Sequence, residues 1–189
     1  MDDTFSSAWN NKGAVLVELG RYEEAIDCFV KAIEINSSFK DAWYNKGVAL
    51  FELDRFEEAS GCFNRATEID PLDAKAWSYG GTALGKMERY DEAIYCYDKA
   101  LAIDPEYVDA WNNKGVALYQ EDDLEGAVEC FEEAIKIDPK DGGLWFNKGL
   151  VLQSLGRDTD AAKALSRALE LGYAGPARSE DTKQPNEML

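Results

Sequence analysis

The sequence predicts an all-α solenoid of stacked antiparallel helix pairs, and three observations predict it. All five tryptophans, Trp9, Trp43, Trp77, Trp111 and Trp145, stand 34 residues apart. Each is followed at four residues by Gly (Gly13, Gly47, Gly81, Gly115, Gly149) and at seven by Leu (Leu16, Leu50, Leu84, Leu118, Leu152). A second block then recurs, with Ala at sixteen (Ala25, Ala59, Ala93, Ala127, Ala161), Phe29, Phe63, Tyr97, Phe131 or Leu165 at twenty, and Ala at twenty-three (Ala32, Ala66, Ala100, Ala134, Ala168). A period of this length points to one helical unit repeated, each copy burying its apolar surface against its neighbours.

At about 100° per residue, Trp, Gly and Leu share one face of a first helix. The Gly lets a second helix approach closely. That second helix presents Ala, aromatic, Ala, small where backbones cross and large between. A short turn joins the two: Leu19-Gly20-Arg21, Leu53-Asp54-Arg55, Met87-Glu88-Arg89, Glu121-Asp122-Asp123 and Leu155-Gly156-Arg157. Acids open the second helix at Glu23-Glu24, Glu57-Glu58, Asp91-Glu92 and Glu125, where they complement the helix N-terminus. Pro71, Pro105 and Pro139 stop it, since a residue before proline avoids the helical region. The fifth copy drifts. Asp158 stands where Tyr22, Phe56, Tyr90 and Leu124 stand earlier, and Tyr173 replaces the proline.

This order of residues resembles the tetratricopeptide repeat, over about residues 6–173. The resemblance implies a right-handed superhelix of five units, about 6–39, 40–73, 74–107, 108–141 and 142–173, followed by a polar tail, 174–189, expected to be flexible. Two places depart from the family. Its Leu before the Gly is Lys12, Lys46, Gly80, Lys114 and Lys148 here, and its Tyr three residues after the Gly is Leu. Each Lys lies about 60° round the helix from its Trp, so its stem is expected to cover the indole while its ammonium reaches a neighbouring acid. The tail is no amphipathic capping helix. The outer edge of the fifth unit, near Leu165, Leu169 and Leu171, is therefore expected to be exposed.

Composition narrows the function. Lys plus Arg is 20 against 37 for Asp plus Glu, a formal charge of −17. Such a chain repels nucleic acid phosphates and anionic lipid, so neither nucleic acid nor membrane is an expected partner. Met1-Asp2-Asp3 opens no signal peptide, no run is long enough to span a bilayer, and a cytoplasmic location is expected. Cys28, Cys62, Cys96 and Cys130 repeat with the unit, too far apart for disulfides, and read as reduced packing residues. With no His, no nucleophile–base pair, no phosphate loop and no metal-ligand spacing, no enzyme activity, no cofactor and no metal are expected.

The remaining face of each first helix is the candidate binding surface. Two residues after the Trp stand Asn11, Asn45, Tyr79, Asn113 and Asn147. Asn competes with the helical backbone, so its recurrence needs a reason. An amide that donates and accepts can pair with a peptide bond of any sequence, and the row is similar to the asparagine ladder of O-GlcNAc transferases, interrupted here by Tyr79. The alternative is that these amides pair with the next unit and order the stack. Four hydrogen bonds at roughly 0.5–1.5 kcal/mol each fall short of an association cost on the order of 4–15 kcal/mol. Apolar contacts must add to them, and Tyr44, Phe51, Tyr79, Tyr119 and Phe146 are the candidates. The resemblance implies first helices lining a concave groove that holds an extended peptide. It does not imply the family's clamp for acidic chaperone tails: of that pattern only Asn45 and Lys75 match, while Asn10, Ala14 and Tyr79 do not. The expected function is a non-enzymatic scaffold for a protein or peptide partner. The alternatives are self-association into a homo-oligomer through the uncapped last repeat, or service as the interaction module of a larger protein.

Overall fold

The computed structural model describes residues 3–173 and Gly175. The described residues form ten helices and no strand, divided between two compact units. The first unit, up to Pro105, holds α1 (Asp3–Glu18), α2 (Tyr22–Ile35), α3 (Lys40–Phe51), α4 (Phe56–Ile69), α5 (Ala74–Lys86) and α6 (Tyr90–Ile103). The second, from Glu106, holds α7 (Val108–Gln120), α8 (Leu124–Ile137), α9 (Gly142–Ser154) and α10 (Asp158–Glu170). Within each unit every first helix packs on the second helix of its own pair, α3, α5 and α9 also pack on the second helix of the pair before, and successive first helices touch. The all-α fold class stands, as a stack of helix pairs inside each unit.

Close approach at the glycines makes the pairs. A Cβ on Gly13 would lie 2.5 Å from the Phe29 ring, on Gly47 2.8 Å from Phe63, and on Gly115 2.9 Å from Phe131. Phe29, Phe63 and Phe131 are completely buried, and each such ring contributes roughly 1.5–3 kcal/mol. In the fifth pair Leu165 fills the same hollow, 2.7 Å from where a Gly149 Cβ would stand. Ala49 and Ala83 join the clusters of the preceding pairs and carry the core from one pair to the next within the first unit.

The turns share one geometry. Gly20, Asp54, Glu88, Asp122 and Gly156 all have left-handed φ, between 56° and 70°. The residue after each donates its amide to the carbonyl six positions back in the count that includes both, as in Arg21 N to Leu16 O (2.8 Å) and Arg157 N to Leu152 O (2.9 Å). The turn residue itself donates three back, Gly20 N to Val17 O at 2.9 Å. This is a Schellman closure, and it satisfies the carbonyls a helix end leaves open.

Two kinds of contact fix the tryptophans, and Trp43 and Trp145 have both. Trp43, Trp77 and Trp145 donate their indole N–H to the carbonyls of Ser37, Pro71 and Pro139 at 2.9–3.1 Å. Lys12, Lys46, Lys114 and Lys148 each place an ammonium over their own Trp ring, 5.1–5.7 Å from its centroid. Lys148 also reaches Glu132 on α8 at 2.8 Å, as its sequence position suggested.

The expected exposed edge of the last pair reduces to one residue. Leu169 is 63 % exposed. Leu165 is held by the Gly149 hollow and Leu171 is half-buried. The tail, expected to be flexible, lies outside the described residues apart from Gly175.

Candidate functional site

The candidate face divides between the units. In the first, Asn45 on α3 donates its side-chain amide to Asn10 Oδ1 on α1 at 3.0 Å. In the second, Asn147 on α9 donates to Asn112 Oδ1 on α7 at 3.0 Å, and Asn112 donates in turn to Asn113 Oδ1 at 3.2 Å. The acceptors Asn10 and Asn112 stand one residue after their Trp and are not among the candidates named from sequence. Their signal was in the sequence as the repeated Asn10-Asn11 and Asn112-Asn113 dipeptides. One N–H of Asn45 and one of Asn147 thus order neighbouring pairs, and each side chain keeps a second N–H and a carbonyl oxygen. Asn11 is exposed on α1, while Asn45, Asn113 and Asn147 are half-buried.

The aromatic candidates fall into distinct settings. Tyr44 and Tyr79 meet edge to face at 5.6 Å, and both touch the buried Phe63 ring at 5.7 Å. This triad joins α3, α4 and α5, and Tyr79 keeps 36 % of its surface. Phe51 turns toward the helix-pair turn and packs edge to face on Phe56 at 5.2 Å. Tyr119 packs on the core of the second unit, its hydroxyl 3.4 Å from Ser154 Oγ on α9. Phe146 lies under Tyr173, ring centroids 5.4 Å apart, and a Cβ on Gly175 would stand 2.9 Å from the same ring. Tyr173 and Gly175 therefore lie against Phe146 on α9. The structure brings Tyr44 and Tyr79 together, with Asn45 next to Tyr44 in the chain, and separately Asn112, Asn113 and Asn147. Phe51 is apart from both groups.

The second helices carry the charge. Arg21, Arg55 and Arg89 each grip the glutamate three residues on, Glu24, Glu58 and Glu92, through two bonds of 2.6–2.8 Å. These hydrogen bonds lower the carboxyl pKa values of Glu24, Glu58 and Glu92. Such exposed pairs are charge pattern more than stability, and nothing here raises a carboxyl toward general-acid duty. All four cysteines are buried and none forms a disulfide. Burial pushes the Cys62 thiol up and the Cys96 thiol to about 11, the reverse of an activated nucleophile. Among the described residues no group of three His, Cys, Asp or Glu could hold a metal, and no helix is long and apolar enough to cross a membrane.

Models of the tetratricopeptide repeat match residues 6–39, 41–72 and 108–141, a further TPR repeat model matches 81–122, and another tetratricopeptide model matches 130–164. The chain belongs to the tetratricopeptide repeat family. Solved tetratricopeptide repeat structures agree in fold. A segment of MamA from Desulfovibrio magneticus RS-1, residue 41 to its end, superimposes with a TM-score of 0.84 at 21% identity, covering 96% of this chain and 99% of that one. Another MamA crystal structure gives 0.81 at 21% identity, over 85% and 94%. YrrB, described as a TPR protein with an unusual peptide-binding site, gives 0.75 at 23% identity, over 86% and 84%. A search of curated proteins finds no match. The tetratricopeptide repeat fold generally serves protein–protein interaction without catalysis.

Proposed function

We propose that this tetratricopeptide repeat chain is a non-enzymatic scaffold that holds an extended segment of a partner polypeptide against its first helices. One observation carries the reading. On a chain of charge −17, the candidate residues Tyr44, Asn45 and Tyr79 are themselves uncharged, and Tyr79 presents a ring already supported from below by Tyr44 and Phe63. A ring held in place loses little freedom when a ligand packs on it, which makes it an efficient contact. Asn45, next to Tyr44 in the chain, has spare amide capacity for a ligand backbone. YrrB, similar in fold, is a TPR protein with a peptide-binding site, which is consistent with this use of the scaffold.

The test is Tyr79→Ala, with folding followed by circular dichroism. Once a partner segment has been captured and sequenced, the variant should bind it at least tenfold more weakly with its helical signal intact. Equal affinity would remove the reading. The same substitution should leave the second unit unchanged, so an amide spectrum of residues 106–173 serves as the internal control.

A second reading rests on Leu169. An apolar side chain 63 % exposed on the last helix of the array offers a contact to a second copy. Light scattering across a concentration series separates the two: a mass that rises with concentration, and that Leu169→Glu holds at the monomer value, supports self-association. A monomer throughout removes it.

A further inference from the structure

The repeats are close enough to one another to show what one of them lacks. In four of them a lysine three residues after the tryptophan lays its ammonium over the indole: Lys12 on Trp9, Lys46 on Trp43, Lys114 on Trp111 and Lys148 on Trp145. After Trp77 that place is Gly80. Two pairs take a further cation from the second helix, Lys31 on Trp9 at 4.3 Å and Arg65 on Trp43 at 5.7 Å. The equivalent residue of the third pair, Lys99, sits instead over Tyr95, 5.0 Å from its centroid. Among the described residues no Lys or Arg head group lies over Trp77.

The space the missing side chain would fill is open. Lys148 shows its course, across Trp145 to Glu132 on the second helix of the preceding pair. The residue two periods before Glu132 is Asn64, and Trp77 and Asn64 both line a cavity of about 430 Å³ between α4, α5 and α6. Its size is that of a small-ligand site. Gly61 widens it, since an added Cβ there would meet no atom within 4 Å. Tyr95, 55 % exposed, stands against Trp77 at 6.2 Å and 80°, so two rings meet at a corner. Glu57, Glu68 and Glu92 complete the border. Arg89 binds Glu92 and approaches Glu57 at 3.4 Å, and Arg65 pairs with Glu68. Three carboxylates face one arginine on the wall itself.

We propose that this cavity docks a lysine or arginine side chain of a partner polypeptide, which supplies to Trp77 the cation that the other four repeats build in. The indole face is negative, the rim is acidic, and the other tryptophans show which group that face takes when one is within reach. An apolar side chain would fill the volume but gain nothing from the excess of carboxylates over arginine on the wall. The site is lined from α4, α5 and α6 and shares no lining residue with the Tyr44–Asn45–Tyr79 face, so it stands or falls apart from the groove reading.

The experiment follows the five indole N–H signals in a nitrogen-15 spectrum while N-acetyl, C-amide Gly-Lys-Gly, its arginine counterpart and its norleucine counterpart are added at fixed ionic strength. The expected result is a saturable shift of the Trp77 indole with the two cationic peptides and none with norleucine. Gly80→Lys restores the internal cation, and its Cβ has room, the nearest atom being 3.5 Å away. It should weaken peptide binding roughly threefold to thirtyfold. Tyr95→Ala, on an exposed ring, gives a second variant that should also weaken binding. Tyr79→Ala should leave it unchanged. Equal response to norleucine, equal shifts at all five indoles, or undiminished binding by Gly80→Lys and Tyr95→Ala would each overturn the proposal.

Discussion

Asn45 donates its side-chain amide to Asn10 across 3.0 Å, joining the first helices of two successive repeats. Asn10 is only 7 % exposed, so this bond is made where water cannot easily replace it. Asn45→Ala should then destabilise the first unit by about 1–3 kcal/mol, because it leaves a buried carbonyl without a donor. The double variant with Asn10→Ala should cost less than the sum of the two, with a coupling of about 0.5–1.5 kcal/mol in urea unfolding. Additive costs would mean that the two amides act separately.

The glycines differ in what surrounds them, and substitution should sort them by sign. At Gly115 an added methyl would press on Phe131 at 2.9 Å. Gly115→Ala should lose about 1–3 kcal/mol by overpacking, and Phe131→Leu should recover part of that loss. Gly61 is a helical glycine with open space above it. Gly61→Ala should gain roughly 0.5–1 kcal/mol from helix propensity. Thermal unfolding of the two variants side by side is the check.

Asp73 gives the acid dependence a definite direction. It caps α5 by accepting from Ala76 N at 3.0 Å and meets Lys40 Nζ on α3 at 2.8 Å. Burial works to raise its carboxyl pKa, but the Lys40 bond and the backbone amides outweigh it and hold the value below the ordinary one. A depressed carboxyl contributes stability that is present above its unfolded pKa of about 3.9 and is lost as pH falls through the folded value. Asp73→Asn keeps a capping oxygen and removes the charge. It should lower the melting temperature at pH 7 by the equivalent of roughly 0.3–1 kcal/mol, and the gap to the parent should close as the pH falls below the ordinary carboxyl range. A gap independent of pH would assign the effect to the cap alone.

The helix pairs were legible because packing obeys a period. Trp, Gly, Leu, Ala and the aromatic recur at one spacing, so Gly13 on Phe29 and Gly115 on Phe131 follow from repetition of a single contact. The lysine over the tryptophan was legible for the same reason. The candidate site was legible only in part. The sequence showed that Asn45 and Asn147 need partners, but the partners lie 35 positions away, at the adjacent Trp-plus-one place. Which neighbouring side chain a helix presents at that distance depends on the stagger between pairs, and a repeating sequence does not encode stagger at single-residue precision. Phe51 turning to Phe56, and Tyr173 folding over Phe146, are local choices of chain ends and turns that have no periodic signal.

The turn at Glu88 stores strain that can be removed. Gly20 and Gly156 occupy the same position with φ of 69° and 70°, and Glu88 adopts 59° with a Cβ in the way. An L-residue in that region carries a cost of roughly 1–2 kcal/mol that glycine avoids, set against the greater freedom glycine has when unfolded. The balance favours glycine here, because the Schellman closure, Arg89 N to Leu84 O at 3.0 Å and Glu88 N to Gly85 O at 3.0 Å, fixes the conformation whatever the side chain. Glu88 is exposed, so no packing is lost with its side chain. Glu88→Gly should therefore raise stability by about 0.5–1 kcal/mol, and Gly20→Ala should lower it by a similar amount. Asp54→Gly should gain less than Glu88→Gly, because an aspartate tolerates the left-handed region better than a glutamate. Urea midpoints for the three variants decide the matter: a loss of stability on Glu88→Gly would show that unfolded-chain entropy, not native strain, sets the balance at these turns.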